Sequence, residues 1–232
     1  MPILLATPPL DVFEHMALDE RIVQVHPDDS TLRFYNWTNG PAATFGYAQF
    51  IGEVRRALQE RGFNGAYTRR PTGGGVVFHE DDLTFSLVFT STEKPTEIYK
   101  KLHAAILTQL MHAGYSGRVF DKSLPSTAYA PSVNQQANAC FVRPVENDLL
   151  ADNGQKMLGG AIRRFGQTVL YQGSLQQPGA RTSPLFKHAV IEGVRQFLTD
   201  DLRPCACTVA DLAAARQLAR SQYDTPSWME KF

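Results

Sequence analysis

The chain has 232 residues, 43% of them hydrophobic, enough for one sizeable core and within the range of a single α/β or α+β domain. Its 23 basic and 23 acidic side chains cancel, so no global field draws it to nucleic acid or to an anionic membrane, and any charged partner must be recognised locally. Three cysteines, Cys140, Cys205 and Cys207, make no disulfide framework, the N-terminal stretch lacks the basic leader of a signal peptide, and no run reaches membrane-span length. A cytoplasmic setting is the expectation.

In chain order, Asp11 to Val25 carries Phe13, Met16, Ala17, Leu18, Ile22 and Val25 at spacings of three and four, which predicts an amphipathic helix. Thr31 to Trp37 alternates as a strand and stops at Asn39-Gly40-Pro41, and Ala43 to Tyr47 is a short second strand. Glu53 to Arg61 reads as a helix closed by Gly62, and Gly65 to Arg70 as a strand feeding Pro71-Thr72-Gly73-Gly74-Gly75-Val76-Val77-Phe78-His79. Leu83 to Phe89 is the next strand, so the glycines lie between strands. A Walker loop or a dinucleotide fold would need them to open a helix.

Thr96 to Ala113 is a helix stopped by Gly114, and Ser123 to Ala139, rich in Ser, Pro, Asn and Gln, reads as a long loop that delivers Cys140. Asn153-Gly154 between apolar runs predicts a hairpin with Lys156 on the return strand, followed by Gly159-Gly160-Ala161. Val169 to Leu175 is a strand, Ser183 to Leu198 and Asp211 to Gln222 are helices, and the Trp228 indole is expected to pack against the body.

Several of these residues suit chemistry. Cys140 is the candidate nucleophile: an ammonium within about 4 to 6 Å lowers a thiol pKa, and Lys156 follows across the hairpin. Against that, free cysteine is among the most often buried residue types, and Cys205 and Cys207 are read as structural. Lys156 could stabilise charge developing on a carbonyl or phosphate oxygen. Arg70 beside the glycines suits a phosphate or carboxylate but could equally be held within the fold; His79 could donate a hydrogen bond or cap the apolar run. The acidic run Glu80-Asp81-Asp82 could hold Mg²⁺ but is more often a solvated turn. No metal site is expected.

Arg69 to His79 resembles the Arg-Arg-x-x-Gly-Gly-Gly-x-Val-x-His signature of the lipoate-protein ligase, octanoyltransferase and biotin-ligase superfamily. Gln155 to Ala161 resembles its lysine motif, and Tyr171-Gln172-Gly173-Ser174-Leu175 its third, with Tyr171-Gln172 departing from the usual histidine. Stretches His15 to Glu20, Leu32 to Trp37 and Tyr223 to Trp228 match as well. The resemblance implies a class II biotin/lipoyl ligase-like α/β (α+β) catalytic domain, a mostly antiparallel sheet flanked by helices. It implies an acyl group bound by Arg70, Thr72, Gly73, Gly74, Gly75, Val77, His79, Gly159, Gly160 and Ala161, with Cys140 and Lys156 catalytic.

Within that superfamily the spacing of Cys140 before Lys156, the sequence Glu80 to Ser86, and the expectation of one domain over 1–232 without a C-terminal accessory domain resemble the cysteine-dependent octanoyltransferases. Such a transferase needs no cofactor. It takes octanoyl or lipoyl from acyl carrier protein or lipoyl carrier protein to a lysine on lipoyl domains of 2-oxoacid dehydrogenases or on glycine cleavage H protein. The alternative is an ATP- and Mg²⁺-dependent lipoate-protein ligase, to which Gly75 and the pair Asn147-Asp148 are similar; a third is a non-catalytic acyl-binding or carrier-binding module. Biotin is the rarer acyl group.

Overall fold

The computed structural model describes residues 1–25, 29–38, 40–121 and 144–232. The predicted amphipathic pattern near the N-terminus forms helix α1 (Val12–Val25), which is buried on more than one face, at His15 to Asp19 as well as at Ile22 and Val23. It follows strand β1 (Ile3–Ala6) and leads to β2 (Thr31–Phe34) and β3 (Ala42–Phe45). The strand expected to run to Trp37 ends at Phe34, although Tyr35 N–H still donates to the Thr84 carbonyl at 2.9 Å, and Trp37 makes a single bridge to Leu10. Next come α2 (Ile51–Glu60), β4 (Ala66–Arg69), β5 (Val77–His79), β6 (Leu83–Thr90), α3 (Pro95–His112) and β7 (Gly117–Val119). Strands β8 (Leu149–Ala151), β9 (Lys156–Phe165) and β10 (Thr168–Leu175) lead to α4 (Pro184–Leu198), β11 (Arg203–Ala206), α5 (Val209–Leu218), a π-helical turn at Ala219–Tyr223, and α6 (Pro226–Met229).

Eight strands form the main sheet in the order β11-β1-β2-β6-β10-β9-β8-β7; β1 is parallel to both β2 and β11, and every other pairing is antiparallel. The expected mostly antiparallel sheet flanked by helices is therefore present. A second sheet, β4-β3-β5, stands apart from it. Strands β6 and β10 are buried along nearly their whole length, as central strands covered on both faces must be.

Three apolar clusters divide the interior. The first lies between the main sheet and the pair α3 and α4, built on residues such as Phe85, Leu87, Ile106, Tyr171, Phe186 and Val190. Those helices cross so closely that a side chain on Gly193 would come within 2.7 Å of the Ile106 Cα. The second joins α1 and α5 to the opposite face, and the third packs the small sheet against α2 through Phe45, Val54 and Leu58. The site occupies the space where the small sheet and α1 meet the main sheet.

Candidate active site

The hairpin that carries Lys156 forms as its turn chemistry predicts, with Gly154 at φ 78° and Gln155 N donating to Asn153 Oδ1. Strand β8 pairs with β9 through a bulge at Leu149/Leu150, which sets Leu150 opposite Lys156 and returns the lysine towards Asp148, the residue before β8. Lys156 Nζ lies 2.9 Å from Asp148 Oδ2, both side chains almost wholly buried. Burial pushes the Asp148 carboxyl up from its ordinary value, opposed by the Lys156 ammonium and by the Val145 N–H, which donates to Asp148 Oδ2 at 2.7 Å. A charge pair this deep needs each partner to hold the other in place.

Lys156 reaches into a pocket between the sheets, which contains about 470 Å³ of space not filled by atoms, its open mouth included. Strands β9 and β10 supply one wall through Gly159, Gly160, Ala161, Gln172, Gly173 and Ser174. Met16 of α1, Tyr35, Thr84, Thr44 of β3, Arg70, Gly74, Val77 and His79 complete it. Eight of the residues expected from the sequence, Arg70, Gly74, Val77, His79, Lys156, Gly159, Gly160 and Ala161, thus share one cavity.

Thr72, Gly73 and Gly75 do not line it. Thr72 is buried and donates from Oγ1 to Gln172 Oε1 at 2.6 Å, while the Gly73 carbonyl accepts from Arg70 Nε at 3.1 Å and Nη2 at 2.5 Å. The loop thus presents one glycine to the cavity and uses its other groups to fix its own shape. Arg70 also donates to the Thr44 carbonyl at 3.2 Å, so it braces loop against strand while forming part of the wall. The glycines of β9 line the pocket and also accommodate neighbours within the fold. A side chain on Gly159 would come within 2.2 Å of Lys156 Cε, and one on Gly160 would meet the Tyr171 ring at 2.4 Å. Those glycines make room for the protein's own lysine and tyrosine.

His79 neither caps a run nor stands free. Its Nδ1 donates to Asp82 Oδ2 at 3.0 Å and its Nε2 meets Thr44 Oγ1 at 3.0 Å. The reading of Glu80-Asp81-Asp82 as a solvated turn holds for exposed Glu80 and Asp81 and fails for Asp82, which is buried and also accepts from Thr84 Oγ1 (2.8 Å) and Ser174 Oγ (2.6 Å). Burial works to raise the Asp82 carboxyl, but His79 and the two hydroxyls outweigh it, and the group sits below its ordinary value.

A second buried network closes the opposite side. Arg33 donates to Asp19 Oδ1 (2.8 Å) and to the His15 carbonyl (2.7 Å), and Asp19 also accepts from Ser86 (2.6 Å), Gln172 Nε2 (2.8 Å) and the Tyr35 hydroxyl. His15 Nε2 donates to the Asn36 carbonyl, so its Nδ1 accepts from Arg33 Nη1 at 2.9 Å. Burial, and then the Arg33 charge, hold the His15 pKa well below its ordinary value. Sequence reading did not single out Asp19, Arg33, Tyr35 or Gln172 as site residues, although all stand inside or beside the family-like stretches. In both networks the polar heads turn to one another, and what the Thr, Tyr and Gln side chains leave for a ligand is largely carbon.

Cys140 and the loop Ser123 to Ala139 lie outside the described residues. Cys205 and Cys207 are free thiols on and just after β11, and neither lines this pocket.

Comparison with known proteins agrees with the geometry. Residues 11–182 match the lipoyl protein ligase A/B catalytic domain. Octanoyltransferase LipM of Halalkalibacterium halodurans is 27% identical over 92% of this chain and 93% of its own, and that of Brevibacillus brevis 30% identical over 86% and 75%. Among solved structures, a bi-partite lipoate protein ligase from Thermoplasma acidophilum aligns over 100% of this chain and 96% of its own, with a TM-score of 0.73 and 22% identity, a likeness of fold. The chain belongs to the lipoyl protein ligase A/B catalytic domain family.

Proposed function

We propose that the chain is an acyltransferase that moves an octanoyl group from a carrier thioester to a lysine of a lipoyl domain, in protein lipoylation. The observation that carries this reading is that the relatives aligned along most of both chains are octanoyltransferases. The pocket supports it chemically: a glycine-floored slot between two sheets admits an unbranched chain, and a buried ammonium stands in its wall to meet the carbonyl.

In this reading the Cys140 thiol gives up its proton, the thiolate attacks the thioester carbonyl, the bond between the acyl carbon and the carrier sulfur breaks, and the carrier leaves as a thiolate that takes up that proton. The neutral amine of the acceptor lysine then attacks the acyl-Cys140 thioester; an amide forms and Cys140 regains its thiol. Lys156 donates to the oxyanion in both steps, and Asp148 keeps it aimed. No cofactor is required. Acyl carrier protein or lipoyl carrier protein would donate, and lipoyl domains of 2-oxoacid dehydrogenases or glycine cleavage H protein would accept, in the cytoplasm.

Mass spectrometry after incubation with octanoyl carrier protein is expected to find one octanoyl group on Cys140, and Cys140→Ala is expected to abolish transfer. Full transfer by that variant would overturn the cysteine mechanism. Arg70 in the pocket wall favours one second reading, an ATP-dependent lipoate ligase in which Arg70 and Lys156 grip a lipoyl-adenylate and Mg²⁺ assists. Lipoate-dependent pyrophosphate release from ATP would establish it.

A further inference from the structure

Resting on the acyl-transfer reading, we propose that His103, fixed in one tautomer by the Asn147 carbonyl and held in place by Tyr171, is a positioning residue for the Lys156–Asp148 pair. Neither residue lines the pocket. His103 lies on α3 and Tyr171 on β10, both buried on the far side of the main sheet from α1.

Asp148 must be placed by its own peptide, since it lies just before β8 begins. The Asn147–Asp148 peptide is clamped at both ends: the Asn147 carbonyl accepts from His103 Nδ1 at 2.6 Å, and the Asp148 N–H donates to the Val145 carbonyl at 3.0 Å. Asn147 itself stands at φ 72°, in the left-handed region that asparagine enters more readily than other non-glycine residues. Its N–H donates to the Phe120 carbonyl at 2.7 Å, and Phe120 N–H donates back to the Asp148 carbonyl at 2.7 Å. Of these clamps, His103 is the one made by a side chain.

A carbonyl oxygen can only accept, so the proton of the neutral ring must sit on Nδ1, and Nε2 is left to accept from the Tyr171 hydroxyl at 2.8 Å. Burial keeps this arrangement in place from both ends. It holds the His103 pKa down to about 4, with the Asn147 carbonyl opposing and the Lys156 charge adding to the effect, and it pushes Tyr171 well above its ordinary value. The groups facing the imidazole are Tyr171, Tyr99, the Asn147 carbonyl and the Lys156–Asp148 pair. Tyr171 is placed in turn by Gly160, whose missing side chain leaves room for its ring. The two strands that form the pocket wall therefore also set the angle of the turn that carries Asp148.

The test compares His103→Leu, His103→Asn and Tyr171→Phe in the full chain, with octanoyl transfer to a lipoyl domain and amide hydrogen exchange at Asp148 as readouts. Asparagine can place its amide nitrogen where Nδ1 stands and keep the bond to Asn147, whereas leucine cannot. We expect His103→Leu to lower kcat roughly ten-fold, with KM for the carrier changed less than two-fold, and to speed Asp148 exchange at least ten-fold relative to the β6 amides. His103→Asn should recover most of both, and Tyr171→Phe should fall between. Equal behaviour of the leucine and asparagine variants, or unchanged Asp148 exchange in His103→Leu, would overturn the proposal. Should the unaltered chain transfer no acyl group, the functional reading fails, while the exchange comparison still decides whether His103 places Asp148.

Discussion

Lys156 owes its place to an absence at Gly159. A β-carbon there would overlap the far end of a flexible side chain, Cε and Nζ of the lysine, and not backbone, so the fold can absorb it by moving the ammonium. Gly159→Ala is therefore expected to melt within a few degrees of the unaltered protein and yet lose on the order of 100-fold in kcat/KM for acyl transfer, because a displacement of about 1 Å at a reacting group costs that much. Parallel calorimetry and transfer assays check this; equal loss of both would mean that the glycine serves the strand and not the lysine. How such residues could be read from sequence varies. The Asn153-Gly154 turn announces Lys156 through local chemistry, whereas nothing local pairs it with Asp148, since a bulge and not simple register joins them. Asp82 was assigned to a solvated turn because charge runs usually are; nothing local reveals that Ser174, 92 positions later, will meet it.

The long helices were the most legible elements, and short strands were legible only where turn residues flank them. The helices obeyed the 3.6 period and formed within two residues of expectation at most ends, the last one passing into the π-helical turn at Ala219–Tyr223 in place of running straight to Gln222. Among the short strands, β2, β3 and β4 were marked by flanking turn residues and β8 by the Asn153-Gly154 hairpin, whereas β1, β7 and β11, three or four residues each, carry no such local signal, and β11 pairs with β1 across 200 positions. The tail was expected to pack its indole on the body, and it does more. Buried Arg69 donates to the carbonyls of Trp228 (2.9 Å), Met229 (2.6 Å), Tyr47 (2.5 Å) and Gln49 (2.8 Å), while Trp228 Nε1 returns a bond to the Arg69 carbonyl at 2.8 Å. Removing residues 226–232 would take two carbonyl acceptors from that guanidinium, and stability should fall by about 3 kcal/mol, as for losing two hydrogen bonds to a buried charged group. Urea unfolding measures it, and a loss under about 1 kcal/mol would show that the tail is dispensable.

At the scale of the whole molecule, two histidines are carried neutral in the interior. His103 binds its proton near pH 4 when folded and near 6.5 when not, so between those values the unfolded chain takes up a proton that the folded ring refuses. Stability from this source is complete above pH 6.5 and drains away as the pH falls towards 4, and His15 acts in the same direction. Between pH 7 and 4.5, His103→Asn should lose about 2 to 3 kcal/mol less than the unaltered protein, read from urea midpoints at the two pH values. An identical acid profile would contradict the buried neutral ring.

The Arg69 clasp has a temporal meaning as well. The glycine loop is synthesised about a third of the way along the chain, but the carbonyls of Trp228 and Met229 that hold the arginine at its base come some 160 positions later. During vectorial synthesis the pocket stays without its final fastening until those residues emerge, so a nascent chain has no completed site with which to capture an acyl group.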